Sequence, residues 1–294
     1  MSMKKQYIPE ENPHGTPYFP FQSLSQTDHC GQYFAPYHWH DEVEFLFVTQ
    51  GTLQLCTDRE AYLLEEGHVY FINPGTVHGV FGNSLHSHHY ALLFPLDLLS
   101  FSKYDICQNE FLSPLLTGKL LFPDGRSLSH ELTCRIGELI RRASLLYQDL
   151  SSVPAPLSIK ILLLEILELL FAHGSFVQAA DIPRDESRGI YPLKPVFTYI
   201  ETHYSERITL EELSASVHMN KNYFCRFFKE KAGKTPFSYL TEYRINQACS
   251  QLLNTSLPIT EIALNTGFEN MSYFIRQFRR YRGCTPSEFR RSGS

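Results

Sequence analysis

Short apolar runs separated by polar turns characterise the first third of the chain. Residues 42–49 read EVEFLFVT, Gly51 follows at a turn, and the runs LQLC, AYLL and HVYFI come next, spaced by TDRE and EEG. Short β-branched and aromatic runs at such regular spacing are typical of a β-sandwich or a small barrel. We therefore predict a β-barrel over residues 1–95.

Helical spacing replaces this pattern beyond Pro95. Apolar positions recur every three or four residues in 127–150, and the stretch 156–174 (PLSIKILLLEILELLFAHG) continues in the same way. The next fourteen residues are polar, contain a proline and lack periodicity, as a linker does. The prediction is a helical segment over 96–175 that packs on the barrel, followed by a linker over 176–189.

Residues 190–294 have helical spacing throughout. Thr209 and Glu212 stand at capping-box spacing, and Thr235 with Pro236 provides an N-cap and a proline at the first helical position. The predicted helices include Leu210–Val217, Lys221–Lys231, Pro236 to about Leu253, and Asn270–Tyr281. The expected fold class is therefore α+β and multidomain, with a β-barrel and its following helices in front of an all-α domain.

These C-terminal helices repeat at an offset of fifty residues. The apolar matches are spaced by four residues and so belong to a core, whereas the basic matches fall between them on the outer face. A duplicated fold needs its aromatic core and caps twice, but it does not need its outward arginines twice. The repeat therefore favours two DNA-binding helix-turn-helix units over a helical hairpin with a solvated basic face. The matching pairs are Tyr223/Tyr273, Phe224/Phe274, Arg226/Arg276, Phe228/Phe278, Lys229/Arg279, Gly233/Gly283, Thr235/Thr285 and Pro236/Pro286.

The length of the connecting helix agrees with this interpretation. From Pro236 to about Leu253 it spans roughly 27 Å at 1.5 Å per residue. Two recognition helices on one face of a duplex lie about 34 Å apart, which is one helical turn of DNA. One chain could therefore contact two successive segments of the major groove.

Charge divides the chain at the same place. Residues 190–294 carry a net charge of +5 and residues 1–189 a net charge of -10. This distribution indicates that only the C-terminal third meets a polyanion. The seven cysteines form no CxxC pair, which favours reduced thiols in a cytoplasmic protein. No window has the length and apolar character of a membrane span.

The C-terminal sequence resembles the DNA-binding domain of AraC/XylS-family regulators. The similarity covers residues 193–291 and includes I-x-x-I-A-x-x-x-G-F, Y-F-x-R-x-F and G-x-T-P-x-x-F-R elements. It implies a transcription factor, which we expect to act as an activator on double-stranded DNA with RNA polymerase as a partner. The residues expected to face DNA are Asn222, Cys225, Arg226 and Lys229 in the first unit, and Asn270, Ser272, Arg276, Arg279 and Arg280 in the second.

Those residues divide by chemistry. Arginine and asparagine match the guanine and adenine edges, whereas Lys229, Arg280 and Arg282 are better suited to phosphates. Cys225 departs from the polar residue that many members of the family carry at this position.

A histidine-rich segment is the main candidate site of the N-terminal half. Alternate side chains of a strand share one face, so His38, His40 and Glu44 are expected to point inward together. Together with a later glycine-rich turn that ends in His78, this segment resembles the two cupin motifs. The resemblance implies a jelly-roll barrel over about residues 15–95, which in AraC-family proteins often holds the effector.

This cluster has two possible uses. Imidazole and carboxylate groups suit Fe, Mn, Ni or Zn, so the cluster could bind a divalent transition metal. The chain would then be a cupin enzyme, an isomerase or oxygenase, with a helical appendage. We favour instead an organic effector, with a sugar as the first candidate because aromatic faces suit sugar rings, and therefore no cofactor and no catalytic residue. The expected effector contacts are His38, Trp39, His40, Glu44, His78 and Tyr90, and the same set without the two aromatic residues is the possible metal site.

The last helix before the linker has a broad apolar stripe. Packing on the barrel explains such a stripe, and its width also suits a homodimer, which we expect. A second histidine-rich stretch, residues 86–89, is expected at a surface turn. The stripe consists of Leu162, Leu163, Ile166, Leu167 and Leu170.

Overall fold

A computed structural model describes residues 14–292 except for 17, 30, 58–59, 149, 151–153 and 182–190. The chain divides into two compact units. One is built chiefly from Pro9–Ala35 and Trp39–Asp185, and the other chiefly from Glu186–Ser294. The division at residue 186 falls within the predicted linker.

Within the described residues, eight strands form the N-terminal barrel as two four-stranded antiparallel sheets. Their bounds are β1 Gln22–Asp28, β2 Phe34–His38, β3 Val43–Gln50, β4 Thr52–Thr57, β5 Ala61–Glu65, β6 Val69–Ile72, β7 His78–Gly82 and β8 Ser87–Phe94. One sheet has the order β1-β8-β3-β6 and the other β2-β7-β4-β5. Apart from the β4–β5 hairpin, the chain thus alternates between the sheets, as in a jelly roll. The predicted cupin-like barrel is confirmed.

Strand β3 is apolar on both faces because both faces are buried. Leu46 and Val48 belong to the core inside the barrel, between the two sheets. Phe45 and Phe47 point the other way, toward the following helices. Since alternate residues of a strand share a face, Glu44 lies on the inner side with Leu46. This parity explains the unbroken apolar run of β3.

Helices cover the outer face of the β1-β8-β3-β6 sheet. The elements after the barrel are α1 Ser113–Leu116, β9 Leu120–Leu121, α2 His130–Gln148, α3 Ala155–Ala172 and β10 Val177–Gln178. Helix α2 approaches this sheet closely at Gly137, where an added Cβ would lie 2.5 Å from the Phe47 ring. The apolar stripe of α3 is buried in this same core. The stripe therefore packs within one chain, which confirms its predicted burial, and these five side chains are not available as a dimer surface.

The predicted linker begins later than expected. Val177 and Gln178 form strand β10, which pairs with Leu121 and Leu120 of β9. The N-terminal unit thus extends into the predicted linker, whose later residues lie outside those that the structure describes.

The C-terminal unit is helical. Its helices are α4 Lys194–His203, α5 Leu210–Ser216, α6 Lys221–Ala232, α7 Pro236–Asn254, α8 Ile259–Asn265, α9 Met271–Arg282 and α10 Pro286–Ser292. The predicted capping box is present, since Thr209 and the Glu212 side chain bond reciprocally at the start of α5. Thr235 likewise caps α7 by accepting from the Ser238 N–H at 3.2 Å. Among all described residues, no helix is both long and apolar enough to cross a membrane.

Candidate DNA-binding surface and barrel site

The helices α5 and α6 and the helices α8 and α9 form two helix-turn-helix units. The first helices of the two units start 49 residues apart and the second helices 50 residues apart, so the second turn is one residue longer. Both turns pass through a positive φ, 55° at His218 and 79° at Gly267. The backbone of each of these residues donates to a carbonyl three residues earlier, at 3.1 Å and 3.0 Å. The turns between the two helices of each unit therefore have the same backbone geometry.

The interiors of the two units repeat residue by residue. Phe224 and Phe228 of α6 are fully buried, and so are Phe274 and Phe278 of α9. Asparagine caps both recognition helices: the Oδ1 atoms of Asn220 and Asn270 accept from the N–H three residues later, each at 2.9 Å. The core half of the predicted repeat is therefore present.

The outer faces repeat as well. Asn222, Arg226 and Lys229 are exposed on α6, and the positions fifty residues later are exposed on α9. Residues spaced by three or four share one face of a helix. Each recognition helix therefore presents a continuous polar and basic face, although Cys225 on the first is half-buried. The exposed equivalents on α9 are Ser272, Arg276, Arg279 and Arg280, the last matching Glu230 on α6.

Two predicted DNA contacts have other partners. Asn270 is the N-cap of α9 and lies before the helix, so its Oδ1 is engaged by the helix backbone. The guanidinium of Arg282 turns to α7, where it bonds Asn246 and donates to the Cys249 sulfur at 3.2 Å. The phosphate role suggested for Arg282 is therefore replaced by a contact within the unit.

Two tyrosines join the exposed faces unexpectedly. Tyr223 and Tyr273 are 47% and 40% exposed, although the repeat had placed them with the core. The guanidinium carbon of Arg276 lies 5.4 Å from the centre of the Tyr273 ring. A cation held over an aromatic face loses less freedom on binding. Their exposure could have been predicted from helical position, because each tyrosine precedes an outward arginine by three residues and so lies on the same face of the helix.

Arg244 of α7 links the end of α4 to the turn of the second helix-turn-helix unit. Its Nε donates to the Tyr204 carbonyl at 2.7 Å and its Nη2 to the Glu206 carbonyl at 2.6 Å, both just after α4. The same guanidinium lies beside Gly267 in the second turn, where an added Cβ would be 2.9 Å from it. Sequence spacing could not reveal this residue, because its partners lie about forty positions before it. Arg244 thus holds the end of α4 against the second unit.

The barrel brings four polar side chains together. His38 comes from the end of β2, Glu44 from β3 and His78 from β7, while His40 lies between β2 and β3. One potential ligand atom from each lies within 4.8 Å of those of the others. His40, Glu44 and His78 are buried and His38 is half-buried. His38, His40 and Glu44 therefore converge as expected, but across the turn between β2 and β3 in different sheets and not along one strand, and His78 joins them from the sheet of His38.

Glu44 is the centre of this cluster. Its Oε2 lies 3.2 Å from Nε2 of His40 and 3.1 Å from Nε2 of His78. Burial by itself raises the pKa of Glu44, but hydrogen bonds and charge from the two histidines outweigh it and hold the pKa well below its ordinary value. Burial likewise lowers the pKa of His40, but Glu44 and Glu42 outweigh it and raise that pKa. These pKa shifts therefore favour an ionised Glu44 carboxylate beside a positively charged imidazole.

Backbone carbonyls fix the three imidazole rings. The Nδ1 atoms of His38, His40 and His78 lie 2.7, 3.0 and 2.9 Å from carbonyl oxygens. Those carbonyls belong to Pro36, Glu42 and Thr76. A carbonyl can only accept, so each Nδ1 carries the proton and donates it.

The two predicted aromatic contacts lie in different places. Trp39 is buried, and it stands between His38 and His40 in the sequence. Tyr90 is opposite Phe47 in the register of β8 and β3 and packs on the helix-facing core. That side of the sheet is the reverse of the one that carries Glu44. The structure therefore does not bring Tyr90 to the cluster.

His89 is a buried polar group that the sequence placed at a surface turn. It is 2% exposed, and its ring centre lies 4.8 Å from that of Tyr33. Burial lowers its pKa to about 4, so His89 is neutral at neutral pH. The signal available was alternation along β8, since His89 shares a face with Ala91 and Leu93 of the inner core.

Known families match both units of the chain. Residues 23–167 match the family described as AraC-like ligand binding domain, and residues 213–292 match a helix-turn-helix domain family. The chain belongs to the AraC family of transcriptional regulators. Its N-terminal unit is the ligand-binding domain of that family, and its C-terminal unit is the DNA-binding domain.

Relatives of this AraC-family regulator span both units. YdeC of Bacillus subtilis (strain 168), an uncharacterized HTH-type transcriptional regulator, is 24% identical over 266 residues, 89% of this chain and 88% of its own. YbfI of the same strain, with the same description, is 29% identical over 244 residues, 81% of this chain and 80% of its own. Both relatives are described as transcriptional regulators, and together with the family matches they favour a regulator over the cupin-enzyme alternative.

A solved structure is similar to the C-terminal unit. It is a transcriptional regulator of Chromobacterium violaceum, described by its AraC-type DNA-binding domain. It is 27% identical, covers 35% of this chain and 92% of its own, and superposes with a TM-score of 0.34.

Proposed function

We propose that this AraC-family regulator reads a specific DNA site with α6 and α9 of a single chain. We further propose that it activates transcription when a small-molecule effector occupies the barrel. The observation that carries the proposal is the duplication of the recognition helix. In the two copies, the basic positions on the outer face repeat together with the core positions. Packing requires only the core to repeat, so the repeated outer face indicates a repeated ligand. Duplex DNA is such a ligand, because its structure repeats along its axis and its negative charge complements the two basic faces.

Individual roles follow from side-chain chemistry. Arg226 and Arg276 hold equivalent central positions on the two exposed faces, and arginine pairs with the O6 and N7 atoms of guanine. Asn222 suits an adenine edge in the same way. Lys229 and Arg280 are assigned to phosphates, which position the protein without reading sequence.

The spacing of the two helices fits two successive grooves. Helix α7 has 19 residues, which corresponds to a length of about 28 Å. Arg244 anchors this helix to the end of α4 and to the turn of the second unit, and we propose that the connection behaves as a spacer of fixed length. We therefore expect two contacted segments about one duplex turn apart.

The effector is proposed to bind at the cluster of His38, His40, Glu44 and His78. Buried imidazole and carboxylate groups can bond the hydroxyl or carboxylate groups of a sugar or sugar acid. Such a ligand regulates DNA binding only if it prefers one conformation of the protein over another. A cytoplasmic homodimer that contacts RNA polymerase completes the proposal, on the basis of the family resemblance.

The test is selection of binding sites by full-length protein from a pool of random duplexes. We expect enrichment of a motif with two conserved segments about 10 base pairs apart, and an affinity that falls steeply with salt. A thermal-shift screen of sugars and sugar acids then tests the effector, since a ligand of the native state raises Tm. No enriched motif would overturn sequence-specific binding. No stabilising compound would overturn the assignment to sugars.

A further inference from the structure

A cavity lies where the two barrel sheets end. Strands β5 and β6 are the last strands of their sheets, and the cavity is lined by both of them and by residues 121–124, which begin in β9. Its volume is about 360 Å³, which is within the range of sites that bind small molecules. None of His38, His40, Glu44 and His78 lines it. The cavity is therefore distinct from the His/Glu cluster.

The walls of this cavity are held together by the fold. The Asn73 side chain, just after β6, donates to the Phe122 carbonyl at 3.1 Å and accepts from the Phe122 N–H at 2.9 Å. The Phe122 ring stacks on Phe71 with ring centres 5.6 Å apart. Gly125 approaches β6 so closely that an added Cβ would lie 1.7 Å from the Val69 carbonyl oxygen. A cavity with fixed walls requires little ordering when a ligand binds.

Carboxylate and phenol groups line one side of the cavity. Tyr62 of β5 donates its hydroxyl to Oε1 of Glu60 at 3.1 Å, and Tyr70 of β6 packs against it with ring centres 4.9 Å apart. Asp124 supplies a second carboxylate from the opposite wall. Among the described residues that line the cavity there is no lysine, arginine or histidine. The lining therefore combines a negative charge with two phenol rings.

The neighbouring Arg126 shows how these groups hold a cation. Its guanidinium carbon lies 4.4 Å from the centre of the Tyr62 ring, and its Nη2 donates to Asp124 at 2.7 Å and to Glu60 at 3.2 Å. An aromatic face flanked by carboxylates suits an ammonium or guanidinium group. The Arg126 side chain is 52% exposed, and ion pairs that water reaches are weak. An external cation can therefore exchange with it.

We propose that this cavity binds a small organic cation, an alkylamine or an alkylguanidine, whose charged group takes the position of the Arg126 guanidinium over Tyr62. Asp124 and Glu60 bond the charged group, and the apolar wall that contains Phe122 contacts the alkyl chain. Glu60 bonds described side chains only through Oε1, so its Oε2 can accept from the ligand. Anions are excluded because two carboxylates repel them. This site goes beyond the proposed function, since it is separate from the effector site and from the DNA-binding surface.

The test is isothermal titration calorimetry of full-length protein with n-butylamine, n-butylguanidine, n-butanol and butyrate. These compounds have similar alkyl chains and differ in the charge of the head group. We expect saturable binding of a cation at one per chain, and no binding of the alcohol or the anion. The stronger of the two cations identifies the preferred head group.

Two substitutions should change this binding in opposite directions. Glu60→Gln should weaken cation binding at least about 10-fold, because it removes a charged acceptor and keeps the shape of the side chain. Arg126→Gln should strengthen cation binding, because the ligand no longer competes with a guanidinium of the protein. A purely structural role of Arg126 predicts the reverse, since its loss would then damage the site.

Controls separate binding from folding. Glu138→Gln removes an exposed carboxylate of α2 that pairs with Arg141 at 2.8 Å outside the cavity, and it should bind the cation like the wild type. Circular dichroism checks each variant for folding, and Asp124→Asn replaces Glu60→Gln should that variant not fold. Absence of saturable cation binding, equal binding of the cations and the alcohol, or weaker binding by folded Arg126→Gln would overturn the proposal. Each of these outcomes leaves the DNA-reading proposal untouched, because DNA is not part of the measurement.

Discussion

The two helix-turn-helix units have equivalent interiors but differ in the charge of their surfaces. Both have two fully buried phenylalanines, an asparagine cap and a glycine with positive φ at the end of the recognition helix. On α6, however, Lys231 pairs with Glu230 at 3.1 Å, and Lys221 pairs with Glu211 of α5. The sequence of α9 contains four arginines and no acidic residue. The outward pairs Arg226/Arg276 and Lys229/Arg279 thus repeat with the core, while the charge around them differs between the two units.

This contrast assigns different tasks to the two units. Lys221 and Lys231 are paired with glutamates, so Asn222, Arg226 and Lys229 are the main expected contacts of α6. Arg276, Arg279 and Arg280 lie on a helix without acidic residues and create a stronger positive field, which attracts phosphates at longer range. We expect the second unit to contribute more of the salt-dependent affinity, and each unit to read its own segment of DNA.

The largest expected effect concerns the shared interior. Phe278→Ala should destabilise the second unit by about 3–5 kcal/mol, because the cavity left between Phe274 and Phe289 cannot close fully. Phe228→Ala, the matched change in the first unit, should cost a similar amount. Denaturant unfolding of full-length protein, followed by near-ultraviolet circular dichroism, measures both. Unequal losses, with one variant near zero, would contradict the equivalence of the two cores.

The next effect concerns the link between the units. Arg244→Ala should cost about 2–3 kcal/mol, because two carbonyls lose a charged donor. The matched variant Arg244→Lys keeps the charge but not the two-pronged geometry, and it should recover only part of the loss. Binding to the selected DNA site should fall more than binding to either half of it. Equal losses on whole and half sites would show that Arg244 does not set the spacing.

A smaller effect tests base reading. Arg226→Ala and Arg276→Ala should each cost about 1–3 kcal/mol at the selected site and relax the preference at one base pair. The two affected base pairs should lie in different segments. Competition binding against single-base variants of the site measures this. Equal effects on selected and random DNA would assign these arginines to phosphates instead.

The smallest effect distinguishes the surfaces by their response to salt. Lys229→Ala should weaken binding to all sequences alike and lower the slope of log K against log salt by about 1. Arg279→Ala, at the equivalent position in the second unit, should lower the slope at least as much. Fluorescence anisotropy at several salt concentrations measures both slopes. A larger change from Lys229→Ala would reverse the ranking of the units.

Local patterns were sufficient to predict the C-terminal unit. The four helices predicted with bounds end within one residue of the observed ends, and the Thr209 and Thr235 caps follow from spacings of three residues. The duplicated core follows from comparing positions fifty residues apart in the same sequence. Asn270 was nevertheless assigned to DNA rather than to the cap, because a capping asparagine and a base-reading asparagine look alike in sequence. Arg244 and Arg282 were missed or misassigned because their partners come from distant parts of the unit.

The barrel was predictable only in part. Strand alternation predicted that His38, His40 and Glu44 converge, but they do so across the turn between β2 and β3, which belong to different sheets. The approach of His78 likewise depends on how the two sheets face each other. Tyr90 and His89 are neighbours on β8, and only the register with β3 shows that His89 points inward and Tyr90 outward. The orientation of the imidazole rings depends on backbone carbonyls that no sequence pattern marks.

The central claim is that one chain reads two successive groove segments with α6 and α9. Hydroxyl-radical footprinting of full-length protein on its selected site tests it directly, with Arg226→Ala and Arg276→Ala as matched variants. We predict two protected segments about 10 base pairs apart, with each variant weakening protection of a different segment. A single protected segment, or two segments that both variants weaken alike, would contradict the claim.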